Sequence, residues 1–255
     1  MMTLDGTSPN PGPLPNLDRG EIHIWHARLD LIPRTVKSFL LTLSSNERAR
    51  SERFRFEKDR NRYVIARGIL RKLLGDYLDV APTNLNFCYG SFGKPALAPE
   101  SVPYPIHFNV SHSCGLALFA FSRDQEIGID VERIRVNFDF EHLAKTFFPP
   151  GEFAELRSLA ASGRPAGFFR LWTRLEAYSK ARGTGLFLLD GSGASSPPQA
   201  DPTSQSARNY CDEISSWAVA HFTPETDYIA AVAARVLCGS NFKHWKYPDP
   251  IEVLC

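Results

Sequence analysis

Two carboxylates, Asp130 and Glu132, stand inside the apolar segment IGIDVERI (127–134). Strand side chains alternate between faces. Ile127, Ile129 and Val131 therefore share one face, while Gly128, Asp130 and Glu132 share the other. The two acids are next neighbours on that face, roughly 7 Å apart at the backbone. Negative groups so close repel unless a cation lies between them, and hard oxygen donors suit Mg²⁺ or Mn²⁺. The same spacing is met by an edge strand with a solvated polar face.

A second set lies in FFRLWTRLEAYSKARGTGL (168–186), where Trp172, Glu176 and Lys180 follow one another at i, i+4, i+8. That spacing puts them on one stripe of a helix, beside an apolar stripe of Leu171, Leu175 and Tyr178. A glutamate next to a tryptophan on a half-buried face invites a raised pKa or a metal. The simpler reading is an i,i+4 ion pair between Glu176 and Lys180. Upstream, SFGKP supplies Gly93 for close backbone approach and Lys94 as a cation before the rigid Pro95. NVSH supplies a hydroxyl at Ser111 and an imidazole at His112. His107 and His112 are five apart, which does not match a zinc helix.

These residues need elements to hold them. EIHIWHARL (21–29) alternates as a strand, with Ile22 and Ile24 on one side. From about Ser44 to Leu78 the apolar residues recur at helical spacing, with Ser45 or Asn46 as N-cap. A turn-rich stretch (89–97) and the short apolar runs IHFNVSH and LALFAFS lead into IGIDVERI. Residues 140–162 read as helix after the break at Pro149-Pro150-Gly151, and a stronger helix runs from Gly167 to Arg182. The Ser/Pro/Gly-rich stretch 190–209 reads as a loop, and SSWAVAHF and YIAAVAARV as a strand pair. The expected organisation is α+β: a flexible tail (1–20), two similar subdomains (21–122 and 123–238), and an irregular tail (239–255).

Composition narrows the class. With 43% hydrophobic and 22% charged residues, the 255-residue chain reads as an ordinary soluble domain. Its five scattered cysteines, without a C-x-x-C pair, argue against disulfide or zinc frameworks and point to a reducing cytoplasm. The first twenty residues lack the pattern of a signal peptide, and no apolar run approaches the ~20 residues of a membrane span. Net charge is +1, yet residues 48–72 carry ten Lys/Arg against three acids, +7 against −6 for the rest. That asymmetry suits an anionic partner: a phosphate-rich small molecule, a nucleic acid or an acidic protein.

The order FGKP (92–95), FNVSHS (108–113), IGIDVE (127–132) and WTRLEAYSKARGTGL (172–186), behind a basic segment, resembles the Sfp-type 4′-phosphopantetheinyl transferases over roughly residues 20 to 235. The resemblance implies a pseudo-twofold pair of α+β subdomains with the active site between them. It implies Mg²⁺-dependent transfer of phosphopantetheine from coenzyme A to a serine of an acyl or peptidyl carrier protein, releasing 3′,5′-ADP. By position, Asp130, Glu132 and Glu176 correspond to metal-binding carboxylates, and Glu176 and Lys180 to the catalytic pair. Arg50, Lys94, Ser111, His112 and Arg62 correspond to coenzyme A contacts, with Arg67 a further addition. Phe147, Phe148 and the 183–188 segment are carrier-contact candidates, beside part of the basic segment. A monomer in the cytoplasm, needing neither nucleic acid nor membrane, is expected. One position departs: Leu175 stands where the family carries a lysine, and Arg174 is the neighbouring cation that could replace it. The competing readings are a metal-dependent nuclease or phosphohydrolase, which leaves FGKP and FNVSH unexplained, and a non-catalytic coenzyme A or carrier-binding protein.

Overall fold

A computed structural model describes residues 14–185, 210–212, 217–235 and 241–248. Two four-stranded sheets carry the fold. The first contains β1 (Glu21–Arg28), β4 (His107–Ser113), β5 (Leu116–Ser122) and β10 (Asn241–Lys246), ordered β10-β1-β5-β4. The second contains β6 (Ile127–Arg133), β7 (Tyr210–Asp212), β8 (Trp217–Phe222) and β9 (Tyr228–Arg235), ordered β6-β9-β8-β7. Between β1 and β4 come α1 (Pro33–Thr42), α2 (Ser45–Glu52), α3 (Glu57–Leu78) and the hairpin of β2 (Phe87–Tyr89) and β3 (Pro95–Leu97). After β6 come α4 (Glu141–Phe147), α5 (Pro150–Ser158) and α6 (Arg164–Arg182). The fold is α+β, as expected.

Alternation builds the layers. On β5, Ala117, Phe119 and Phe121 join α3 and Trp25 in one core, while Leu116, Leu118 and Ala120 face the second sheet. There they meet Ile22 and Ile24 of β1, Ile127, Ile129 and Val131 of β6, and Ala230 and Val232 of β9. The apolar face read from IGIDVERI is thus the face between the sheets. Its other face meets α6, and Gly128 explains how closely. A Cβ there would lie 2.0 Å from Ala177 O and 2.3 Å from Ala181 N, so only glycine admits the helix. α6 begins with Pro165 in its first turn and ends at Gly183, which is left-handed (φ 67°).

Three expectations need correction. The helical pattern from Ser44 to Leu78 is two helices, α2 and α3, separated by residues 53–56, and α1 precedes them. The N-cap of α2 is Ser44 rather than Ser45 or Asn46: its hydroxyl accepts from Glu47 N, and the Glu47 carboxylate accepts from Ser44 N, a capping box. The irregular C-terminal tail contains β10, which pairs in parallel with β1 from Glu21↔Asn241 to His26↔Lys246. Side-chain contacts explain why: Trp245 stacks on Trp25, and the His26 and His244 rings share a 2.8 Å hydrogen bond. The N-terminal tail is also anchored at its end, since Leu17 is buried in the first core. Residues 1–13 and the 190–209 loop lie outside the described residues. Among the described residues no helix is long and apolar enough to cross a membrane.

Candidate active site

The two sheets meet where β4 runs beside β6, and the polar residues of FNVSHS make the junction. Asn109 Oδ1 accepts from Ile129 N (2.8 Å), Ser111 Oγ from Val131 N (3.4 Å) and Ser113 Oγ from Arg133 N (3.2 Å). Three side chains at alternate positions of one strand therefore satisfy alternate amides of the next, in place of a backbone ladder. Their hydroxyl protons go to the β6 carboxylates: Ser111 donates to Asp130 Oδ1 (2.7 Å) and Ser113 to Glu132 Oε2 (2.7 Å). Asn109 was not among the sequence candidates; the period-two run N-x-S-x-S is the signal that points to it.

From the other side α6 delivers Lys180. Its Nζ lies 2.6 Å from Asp130 Oδ1 and 3.2 Å from Ser111 Oγ. Ser111, Asp130 and Lys180 thus come from three elements into one hydrogen-bonded cluster. Asp130 is buried, and its Oδ2 has no hydrogen-bond partner among the described residues. Glu132 and Glu176 are half-buried beside it. Burial lifts the Glu132 carboxyl above its usual range; the Ser113 hydrogen bond opposes this and the Asp130 charge adds to it. Burial likewise lifts Glu176, with Lys180 opposing and both acids adding. His112, exposed by area yet crowded by neighbouring atoms, is shifted down by that desolvation and then by the Lys180 charge, with Arg62 a lesser contributor.

Among the described residues no three acidic, histidine or cysteine side chains converge tightly enough to form a ready metal site. The chemistry of the cluster nonetheless fits a hard cation: an orphaned buried Asp130 oxygen, and two carboxylates held above their ordinary range by burial and mutual repulsion. The donors are all oxygens.

The remaining candidates sit outside this cluster. Lys94 donates to Glu126 Oε2 (3.0 Å), Ile127 O (3.1 Å) and Ala181 O (3.4 Å), tying the hairpin turn to β6 and the end of α6. It lines a cleft of about 840 Å³ between the halves, with Phe92, His107, Arg182, Trp217 and Arg235. Arg50 is exposed, its guanidinium 5.7 Å from the Tyr63 ring centroid, and it lines a second cleft of about 820 Å³ under α2 and α3. Arg62 is held bidentate by Asp30 at 2.7 and 2.8 Å. Arg67 is engaged by Glu47 and Tyr89.

Two expectations fail on burial. Arg174 cannot replace the missing family lysine, because its guanidinium is 1% exposed and bonded to Glu152 at 2.5 Å. Leu175 is packed with Phe168, Phe169 and Leu171. Phe148 belongs to the same core and offers nothing to a carrier, whereas Phe147 is half-buried with its ring edge against Trp172. Of the 183–188 segment, Gly183–Gly185 are described, with Gly185 under the Phe92 ring. Residues 186–188 lie outside the described residues.

Comparison with known proteins points one way. Residues 126–233 match the profile of the 4′-phosphopantetheinyl transferase superfamily, and residues 32–123 that of the 4′-phosphopantetheinyl transferase N-terminal region. The 4′-phosphopantetheinyl transferase HetI of Nostoc is 39% identical over 227 residues, 89% of this chain and 92% of that protein. The 4′-phosphopantetheinyl transferase gsp of Aneurinibacillus migulanus is 35% identical over 158 residues, 62% of this chain and 63% of its own. A mouse L-aminoadipate-semialdehyde dehydrogenase-phosphopantetheinyl transferase is 27% identical over 82% of this chain and 72% of its own.

Proposed function

This chain belongs to the 4′-phosphopantetheinyl transferase family, and we propose how its residues carry the transfer of phosphopantetheine to carrier proteins. Coenzyme A is the donor, a carrier serine the acceptor, 3′,5′-ADP the leaving group, and a divalent cation, Mg²⁺ with Mn²⁺ as substitute, is required. The observation that supports this most is the junction cluster: Asp130 shared by Ser111 and Lys180, beside two carboxylates lifted above their usual range. The nuclease and the non-catalytic readings give way, since the matched relatives are named transferases.

The serine oxygen attacks the phosphorus that carries pantetheine, and the bond to the bridging oxygen of the diphosphate breaks, its electrons leaving on 3′,5′-ADP. Asp130, Glu132 and Glu176 would hold the cation, which would neutralise charge gathering on the diphosphate. Lys180 brings a fixed positive charge to the same region, and Ser111 keeps Asp130 turned toward it. Glu176, which α6 brings beside Asp130 and Glu132, is the group we assign to take the serine proton. Arg50, Lys94 and His112 hold the 3′-phosphate end of coenzyme A, with Arg62 a supporting cation. In-line transfer needs little more than positioning and charge from the protein. Phe147 and the turn at 183–185 are offered to the carrier. On this reading the enzyme works as a cytoplasmic monomer and needs neither nucleic acid nor membrane.

The test is the mass of an apo carrier after incubation with enzyme, coenzyme A and Mg²⁺, with and without chelator. A gain equal to the phosphopantetheine group, lost with chelator, is expected. Full loading by an Asp130→Ala/Glu176→Ala double variant would overturn the site assignment.

A further inference from the structure

Glu47 is 3% exposed, in the first turn of α2 and away from the junction cluster. A capping box needs only that its carboxylate reach back to Ser44 N, which it does at 2.9 Å through Oε2. Two arginines of α3 converge on it as well. Arg71 Nε donates to Oε2 (2.7 Å) and Arg67 Nε to Oε1 (2.5 Å). Arg71 is 1% exposed and also holds Pro82 O (2.7 Å) and Leu85 O (3.1 Å). Arg67 donates onward to Tyr89 Oη (2.5 Å) and lies 4.5 Å from the Phe87 ring centroid.

One buried carboxylate therefore ties three elements together: α2, which bears Arg50; α3, which bears Arg62; and β2, whose hairpin turn bears Lys94. It also forms part of the wall of the 820 Å³ cleft, with Arg50, Tyr63, Arg71 and Tyr89. Burial alone would lift the Glu47 carboxyl, but the hydrogen bonds of Arg71 and Ser44 N and the two arginine charges take it below its usual range. It is ionised at neutral pH. A buried charge with three donors in fixed directions is a poor general stabiliser and a strong orienting device.

We propose that Glu47 is a positioning residue for coenzyme binding, fixing α2, α3 and the β2–β3 hairpin so that Arg50 and the other walls of the 820 Å³ cleft meet the coenzyme phosphates in one arrangement. The proposal rests on the coenzyme A reading of Arg50 given above, and predicts an effect on affinity rather than on turnover.

The experiment measures calorimetric affinity for coenzyme A and for 3′-dephospho-coenzyme A, the turnover number at saturating coenzyme A, and the melting temperature. Wild type, Arg50→Ala, Glu47→Gln and Tyr89→Phe are compared. Glu47→Gln is expected to bind coenzyme A at least about tenfold more weakly and to lose most of the preference over the dephospho form. Its turnover at saturation stays within about twofold of wild type, because no reacting group is touched. Arg50→Ala at wild-type affinity sinks the coenzyme reading of Arg50 and this proposal with it. Arg50→Ala weakened beside a folded Glu47→Gln of wild-type affinity sinks the positioning role alone. A Glu47→Gln variant whose turnover falls in step with its folded fraction, at unchanged affinity, also overturns it. Where Glu47→Gln does not fold, Tyr89→Phe decides. It cuts only the link to the hairpin, and about threefold weaker binding at full turnover supports the role, whereas unchanged binding refutes it.

Discussion

Lys180 Nζ reaches Asp130 Oδ1 at 2.6 Å, from α6 onto the strand it packs against, although helix spacing offers this lysine to Glu176. Among the described residues the choice leaves Glu176 without a direct cation partner, while keeping Lys180 within its electrostatic reach. Helix geometry permits both pairings, and the buried carboxylate, needing compensation more, takes the ammonium.

Removing that ammonium should cost more in chemistry than in folding, although buried Asp130 loses its compensating charge. Lys180→Met is expected to slow carrier loading by about 100-fold, the scale for deleting one preorganised charge at a reacting centre. Its side chain is 29% exposed, so the fold should persist, at lower stability because buried Asp130 is left without its ammonium. Loading rates and circular dichroism of the same preparation check both halves of the statement.

Gly128→Ala should do the reverse, damaging the fold through one methyl group. The new Cβ meets backbone atoms of Ala177 and Ala181, which belong to α6 and cannot rotate away. A loss of about 3 kcal/mol in urea unfolding is expected, at the upper end for overpacking, since the helix itself must shift. Near-wild-type stability would show that α6 rides less tightly on β6 than described.

Acid should weaken the fold through buried histidines. Burial lowers His26 and His221 to about 4 and His244 to about 3, so the native state holds them neutral where the unfolded chain takes protons. Their contribution is complete above the unfolded pKa near 6.5 and falls away as pH drops toward 4. Glu132 and Glu176, held above their usual range, pull in the opposite sense. A net loss of stability between pH 7 and pH 5 is expected by urea unfolding, the three histidines outweighing the two carboxylates. A His26→Phe/His244→Phe variant should show a shallower slope.

The Arg174–Glu152 pair allows a thermodynamic cycle. Glu152→Ala removes the carboxylate bonded to a buried guanidinium and should cost about 3–5 kcal/mol. Adding Arg174→Met should recover a substantial part of that loss. Additive losses in the double variant would mean that the two side chains do not act as a pair.

Much of the site was legible because it is written in strands and one helix, whose periods are rigid. The alternation of IGIDVERI places Asp130 and Glu132 on one face, and the spacing of α6 places Glu176 and Lys180 on another. What the periods cannot say is which partner a side chain selects across a junction, so the Lys180–Asp130 pair and the stitching role of Asn109, Ser111 and Ser113 emerge only in three dimensions. Capping was readable in principle: Ser44-Ser45-Asn46-Glu47 holds the S-x-x-E signature, but three adjacent polar residues each offer a cap. Arg174 reads as a free cation in sequence because burial of an arginine depends on a partner, here Glu152, 22 residues upstream. β10 was missed because NFKHWK is polar and edge-like, and its pairing is fixed by aromatic contacts with a strand 220 positions earlier.

That last pairing has a consequence for how the protein is made. Synthesis is vectorial, so β1 emerges long before Asn241–Lys246 exist, and its outer edge has no β10 to pair with while the whole second half is translated. An uncapped edge is a template for pairing with other chains. The nascent protein thus passes through a stage in which its earliest strand is its most sociable one, and shortening the translated sequence to end before residue 241 would make that stage permanent.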